Sequence, residues 1–338
     1  MQRTRSSAPS LRRIDLPLVQ HSHAGLLILL LCVVVVPFVL SDYQLTLFAT
    51  GLAYSVGVLG VAVGLASVGM LALTQPAMML IGADTALVLT ERGWPFFAAV
   101  VVAIAISMII ALPLGWLTSR LDRFSFGVLG FAFTYLVSSL MSSGIFVSIS
   151  GGELGKPFPA GVIAGIPLQQ IAGYAVVGTA AVGSFASASL MFRSTMGRML
   201  LVMRQDDIVA SAFGVNTEWL RIVLTAIVSG YGALSGILVG QASGYVAPPQ
   251  FDVSLSIVLL AAALVGGAAH LIGPFIGTII LQVLPALANL SQVDRNFATG
   301  LILLMCLILL PNGVLGAAGD LIRTLGPNYP NGGATGDG

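Results

Sequence analysis

Charge is what this sequence has least of. Of 338 residues, 14 are Lys or Arg and 13 are Asp or Glu, so 8% are charged while 57% are hydrophobic. A soluble domain carries about 25% charged residues to cover its surface. A chain this poor in them cannot dress a water-facing body of its size, and the natural solvent for most of its surface is lipid. The net charge of +1 supplies no basic field, and the aromatics are not interleaved with Arg or Lys as a stacking platform requires, so nucleic acid is excluded as a partner. Cysteine and histidine are scarce too. Cys32 and Cys306 lie in long apolar runs without Cys-x-x-Cys spacing, which predicts buried thiols with no zinc or redox role. His21, His23 and His270 are too scattered to hold a metal. No Gly-x-Ser-x-Gly elbow, His-Glu-x-x-His pair or acidic cluster occurs, so the chain is not expected to be an enzyme or to hold a cofactor of its own.

What is present is a series of long apolar runs. A hydrocarbon core of roughly 30 Å needs about 20 apolar residues as a helix, and alternating ten-residue strands are absent, so a barrel is excluded. Ten runs qualify: Ala24 to Leu40, Leu45 to Ala66, Met70 to Leu89, Phe96 to Leu117, Phe126 to Val147, Gln170 to Phe192, Leu220 to Gln241, Ser254 to Gly266, Leu271 to Leu290 and Phe297 to Leu310. The fold class predicted is an all-α polytopic membrane protein of about ten transmembrane helices, some broken or re-entrant, since the eighth and tenth runs are short. Alternating crossings place Arg3, Arg5, Arg12, Arg13, Arg120, Arg123, Arg193, Arg198, Arg204, Arg221 and Arg323 on one side and Arg92, Lys156 and Arg295 on the other. That excess marks the cytoplasmic side and puts both termini there. Residues 1–23 then form a basic cytoplasmic segment, 24–316 the transmembrane domain with a cytoplasmic segment at 193–219, and 317–338 a tail without apolar period, expected to be disordered. The first run ends Phe38-Val39-Leu40-Ser41-Asp42 without a small-x-small site, so it is expected to be an uncleaved span.

Glycine is abundant, with 40 residues, and most lie within the apolar runs. Gly60 and Gly64, Gly232, Gly236 and Gly240, and Gly273 and Gly277 recur at four-residue spacing, the pattern of close helix packing in lipid. A second group interrupts spans: Gly69, Thr74, Pro76 and Gly82 in one, and Gly266, Gly267, Gly273 and Pro274 at the join of two others. Broken helices at membrane depth line cavities where free backbone groups meet a polar solute, although tight packing explains glycine equally well. Asp84 lies inside the third run, where a carboxylate costs a few kcal/mol unless it faces a cavity, a partner or an ion. Glu91 and Arg92, two turns on, leave open a position nearer the outer interface.

Ser150-Gly151-Gly152-Glu153-Leu154-Gly155-Lys156-Pro157 fails as a phosphate loop. Its first position is Ser150, and Pro157 stands where Ser or Thr would hold magnesium. The strongest polar feature is the stretch from Gly197 to Asn216. Asp206 can cap a short helix whose N-terminus also favours Asp207, and Gly214 suits its left-handed stop. The apolar face Ile208, Val209, Ala212 and Phe213 fits either a groove on a partner protein or the headgroup region of the bilayer.

At these residues the sequence resembles the permeases of the branched-chain amino-acid (LivM-like) family of ABC importers. The pattern is Gly197-Arg198, Arg204, Asp206, Ala210 and Gly214-Val215-Asn216. It continues with Pro248, Phe251, Ser256-Ile257, Gly266-Gly267, Gly273-Pro274, Gly277 and Pro311-Asn312-Gly313-Val314-Leu315-Gly316. Gly69, Gly82-Ala83, Arg120-Leu121, Phe131-Ala132-Phe133 and Ser150-Gly151-Gly152 extend it more loosely upstream, so that it spans residues 45–317. The chain departs from the family at Asp84, where Tyr is usual, at Ala72 and Thr74, usually Ser and Gly, and at Arg120-Leu121-Asp122-Arg123-Phe124-Ser125, usually a Gly-Tyr turn. These departures leave the solute open.

The resemblance implies a permease of the bacterial inner membrane. Its partners would be a second permease subunit, two cytoplasmic ATPase subunits that bind ATP and magnesium, and an extracytoplasmic solute-binding protein. It implies that Gly197, Arg198, Arg204, Asp206, Asp207, Ala210, Phe213 and Gly214 couple to the ATPases. Gly69, Thr74, Gly82, Asp84, Ser150, Gly151, Gly152, Gly266 and Gly267 would lie along the translocation path. Branched-chain or other amino acids, urea and short amides are the solutes considered. A proton-coupled carrier using Asp84 and a non-transport scaffold or membrane-embedded enzyme are the rival classes.

Overall fold

The computed structural model describes residues 22–315 apart from 122, 145, 160–161, 164–165, 168–170, 206, 268–269, 288–296, 298–299, 306–307 and 309–312. The chain is a helical bundle. Among the described residues, five helices are long and apolar enough to cross a membrane: Asp42–Val68, Phe96–Leu117, Ser125–Ser142, Ala172–Arg193 and Thr217–Ser243. Gly25–Pro37, Val253–Gly266 and Gly273–Leu287 are shorter apolar helices. In chain order the elements are α1 (Ser22–Val39), α2 (Asp42–Val68), α3 (Gln75–Glu91), α4 (Phe96–Thr118), α5 (Arg123–Ser142), α6 (Val147–Ser150), α7 (Ile171–Arg193), α8 (Thr195–Gln205), α9 (Asp207–Ala212), α10 (Thr217–Ser243), α11 (Val253–Gly266), α12 (Gly273–Thr278) and α13 (Leu284–Leu287). A π-helical stretch, Ile279–Val283, joins the last two. It precedes Pro285, whose missing N–H breaks the regular ladder, and a π turn is one way to re-register around such a gap.

Burial separates an inner from an outer layer. In α2, 89% of the most apolar window is buried and in α10 78%, against 28% in α4 and in α5. The inner helices α2, α3 and α10 pack on one another, with α4 against α3 and α10. Glycine makes the close approach possible. A Cβ on Gly82 would stand 2.5 Å from the Ala233 Cα, and one on Gly236 would overlap the carbonyl of Met79. In lipid, where burial of apolar surface gives no advantage of one apolar neighbour over another, such contact supplies the dispersion energy that holds helices together. Cys32, expected inside, is exposed on α1.

The helices α2 and α10 end alike. Each has 27 residues and ends in a left-handed glycine, Gly69 at φ 75° and Gly244 at φ 69°. Five positions agree over their last turns, Gly60, Val63, Gly64, Ala66 and Ser67 with Gly236, Val239, Gly240, Ala242 and Ser243, and three agree just past them, Gly69, Ala72 and Gln75 with Gly244, Ala247 and Gln250. They run antiparallel. Ser235 Oγ donates to the Ala53 carbonyl at 2.8 Å, while Gly60 lies against Tyr231 and Gly64 against Val228, so numbers fall in one helix as they rise in the other.

Two short strand pairs complete the described structure. Lys156–Pro157 (β1) pairs antiparallel with Tyr245–Val246 (β4), just past the Gly244 cap. Val162–Ile163 (β2) pairs with Ile166–Pro167 (β3).

Candidate functional site

The break between α2 and α3 is built by its ends. Gly69 closes α2 in the left-handed conformation, its N–H bonded to the Gly64 and Leu65 carbonyls, and Pro76 starts α3, where a missing N–H costs nothing. The third apolar run begins at Met70, but its helix begins at Gln75, because residues 70–74 are unwound between these two signals. Unwound backbone away from water must find partners. The Leu73 carbonyl accepts from Thr134 Oγ1 of α5 at 3.0 Å and from Ser256 Oγ of α11 at 2.9 Å. Gln75, with no exposed surface, donates through Nε2 to the carbonyls of Gly57 at 3.0 Å and Val228 at 3.2 Å. One side chain thus joins α2, α3 and α10. Its Oε1 has no hydrogen-bond partner among the described residues. Thr74 stands at the N-cap position of α3, without a side-chain capping bond, and is buried.

The remaining path residues occupy other stations. Gly82 sits where α3 crosses Ala233 of α10. Asp84 is 3% exposed, and neither carboxylate oxygen has a hydrogen-bond partner among the described residues. Glu91 lies seven residues on, hence on the same face of α3 two turns away, and Lys156 Nζ stands 3.5 Å from its Oε2. Lys156 is also the cation whose field reaches Asp84. Ser150 Oγ donates to the Met141 carbonyl and accepts from the Gly152 N–H at 3.3 Å. Gly151 and Gly152 both have positive φ, so the tight turn 150–152 closes onto the end of α5. Gly266 packs against the Gly273 backbone, and Gly267 at φ 96° ends α11.

The segment 193–219 forms two short helices whose Leu200, Met203 and Ala210 belong to the buried core of the bundle. Gly197 is buried because a Cβ there would stand 2.5 Å from the Met191 and Phe192 carbonyls, which fixes the corner between α7 and α8. Arg198 is exposed and donates to Thr195 Oγ1 at 3.1 Å. Arg204 Nη1 donates to the Ala66 carbonyl at 3.0 Å, three residues before the Gly69 cap. Ala210 is fully buried and its carbonyl accepts from Val215 N at 3.2 Å. Gly214 has φ 79°, and Asn216 then caps α10 through the Trp219 N–H at 3.0 Å. Phe213, before the glycine, is 80% exposed. Asp206 lies outside the described residues; Asp207 opens α9. Sequence reasoning missed Gln75 and the Arg204 link. The like spacing of Gly69 to Gln75 and Gly244 to Gln250 is a signal that could have drawn attention to the first.

Apolar helices are thus broken around buried polar groups, and an apolar side chain, Phe213, is exposed on a short helical segment. Residues 43–310 match the family described as branched-chain amino acid transport system / permease component, and the chain belongs to that family. It is similar to the high-affinity branched-chain amino acid transport system permease protein LivH of Escherichia coli strain K12, 30% identical over 125 residues, 36% of this chain and 40% of the relative. LivH of Salmonella typhimurium strain LT2 matches with the same identity and coverage. The autoinducer 2 import system permease protein LsrC of Salmonella paratyphi B is 27% identical over 180 residues, 49% of this chain and 50% of that protein. The chain thus spans half or less of the length of these relatives. No solved structure matches.

Proposed function

We propose that the chain is a permease subunit of an ATP-binding-cassette importer in the bacterial cytoplasmic membrane, with both termini in the cytoplasm, moving branched-chain or other small amino acids. Its partners are a second permease subunit, two ATPases that hold ATP and magnesium, and an extracytoplasmic solute-binding protein. The observation that carries this reading is Phe213, an aromatic ring left 80% exposed between the buried Ala210 and the left-handed Gly214, on a segment tied by Arg204 to α2. A ring so placed fits a groove on a cytoplasmic partner. A pull on it reaches the end of α2 through the Arg204 strut, and Gly69 follows directly. The excess of Arg around 193–221 favours a cytoplasmic position for this segment.

Phe213→Asp puts a charge in that groove. In proteoliposomes carrying the assembled complex it is expected to abolish ATP-driven leucine uptake and co-purification of the ATPases, while the chain remains folded in the membrane. Uptake at the unaltered rate would defeat the reading. The similarity to an autoinducer 2 permease keeps a different polar solute in view, as do urea and short amides. One observation favours a second class. Asp84, buried with no hydrogen-bond partner among the described residues, suits a proton-coupled carrier, which predicts uptake that survives ATP depletion and collapses with an uncoupler.

A further inference from the structure

A slot of about 80 Å³ separates α1 from α2, with Tyr174 of α7 and the run from Ile272 through α12 and the π-helical stretch as its other walls. It exists because α1 packs chiefly on α7. Gly178 gives Val33 room there, since a Cβ would overlap the Val33 side chain, and Gly25 lies against Phe185 and Ile272. The slot runs along α1 from Val36 to Leu29 and along α2 from Phe48 to Ser55, two helical turns in each, so it is about 10 Å deep. No charged residue is among its described lining residues. Two of them carry hydroxyls. Ser55 Oγ is spent on the Leu52 carbonyl at 2.7 Å, whereas Tyr174 is 3% exposed and its hydroxyl has no hydrogen-bond partner among the described residues.

A buried tyrosine hydroxyl normally finds a partner, and its depth says which kind. Helix α7 has 23 residues and so spans about 34 Å, and Tyr174, its fourth residue, stands about 5 Å from the end. That is the level at which hydrocarbon gives way to the ester groups of the bilayer. Leu27, Leu31 and Val34 of α1 are exposed, so lipid reaches α1 beside the slot. Water is a poor occupant, because it needs two to four polar partners and the slot offers one uncommitted hydroxyl. We infer that the slot holds one acyl chain of a diacyl phospholipid, whose ester carbonyl accepts from the Tyr174 hydroxyl. A donor without an acceptor then meets an acceptor that has no donor of its own, and an uncharged apolar slot meets a hydrocarbon chain. The chain is a wedge between α1 and the bundle, lying against Val283 where that side chain covers Gly51. The inference does not depend on which solute is transported.

The test titrates the full chain, purified in mild detergent with any subunits that accompany it, with dioleoyl phosphatidylglycerol and with the diether analogue that lacks the ester carbonyls. Native mass spectrometry reads the binding. One tight site for the diester lipid is expected, with the diether lipid about three- to tenfold weaker, the worth of one neutral hydrogen bond. Tyr174→Phe should weaken the diester lipid by the same factor and leave the diether lipid unchanged. Cys32→Trp, which puts a ring into the slot from an exposed position on α1, should remove the tight site for both. Equal affinities of the two lipids for the unaltered chain would overturn the inference, as would a Tyr174→Phe effect equal for both. So would a tight site that survives Cys32→Trp, which would put the lipid elsewhere, or the lack of any tight site, which would mean that another segment of the chain fills the slot. Should Cys32→Trp fail to fold, the two lipids on Tyr174→Phe decide by themselves.

Discussion

The breaks after α2 and after α10 are spelled alike and used differently. Both end a 27-residue helix at a left-handed glycine and place a glutamine six residues later. After Gly69 the chain turns inward, and Gln75 is clasped by the carbonyls of Gly57 and Val228. After Gly244 it runs along the rim, pairs Tyr245–Val246 with Lys156–Pro157, and leaves Gln250 on a cavity wall. One local sequence can thus serve as a seal or as an opening, and the difference lies in what packs over it. Over residues 69–75 lie α5 and α11, bringing Thr134 and Ser256 to the Leu73 carbonyl. At the second break the equivalent carbonyl, Pro248, accepts from Ser138 at 3.3 Å.

The largest blow to this contrast comes from filling the sealed side. Gly82→Leu drives a side chain into the Ala233 backbone, 2.5 Å from where its Cβ would stand. Neither helix can yield there without moving the other, so a loss of about 3 kcal/mol or more is expected, at the upper end of overpacking costs. Gly300→Leu, whose Cβ has nothing within 4 Å, should cost under about 0.5 kcal/mol. Thermal unfolding in detergent separates them, and equal shifts would mean that the two sides are packed alike.

A smaller difference is expected between the two glutamines. Gln75→Leu removes two buried hydrogen bonds and frees space against Gly60 and Gly232, costing about 1–3 kcal/mol. Gln250→Leu removes an exposed side chain and should change stability by less than about 0.5 kcal/mol. If the order reverses in the same unfolding measurement, burial does not decide the role of this position.

Much of this fold was legible in the sequence because lipid demands long apolar helices, and runs such as Leu45 to Ala66 and Phe96 to Leu117 reappear as α2 and α4. The four-residue glycine faces were legible as faces, but not their partners, since nothing in Gly236 names Met79. Gly69, Thr74 and Pro76 mark a break in the sequence but not where the helix resumes, and the backbone starts it at Gln75, five residues past Met70. Arg204 reads as a residue of the segment expected to meet the ATPases; its bond to the Ala66 carbonyl joins residues 138 positions apart and leaves no local trace. The Lys156–Pro157 and Tyr245–Val246 strands are two residues each, too short for any periodicity.

The finest test concerns α5, which touches both breaks with hydroxyls one turn apart. Thr134 is fully buried and its carbonyl partner is held a second time, by Ser256. Thr134→Val should therefore cost only about 1 kcal/mol, because Leu73 keeps one donor. Ser256→Ala alone should behave alike. Together they leave a buried carbonyl without either donor, and the double variant should lose about 1 kcal/mol more than the sum of the two. Ser138→Ala, releasing a longer bond at a half-buried site, should cost about 0.5 kcal/mol or less. A double-mutant cycle at Thr134 and Ser256 showing simple additivity would mean that water or backbone adjustment already satisfies Leu73, and that the first break is no better sealed than the second.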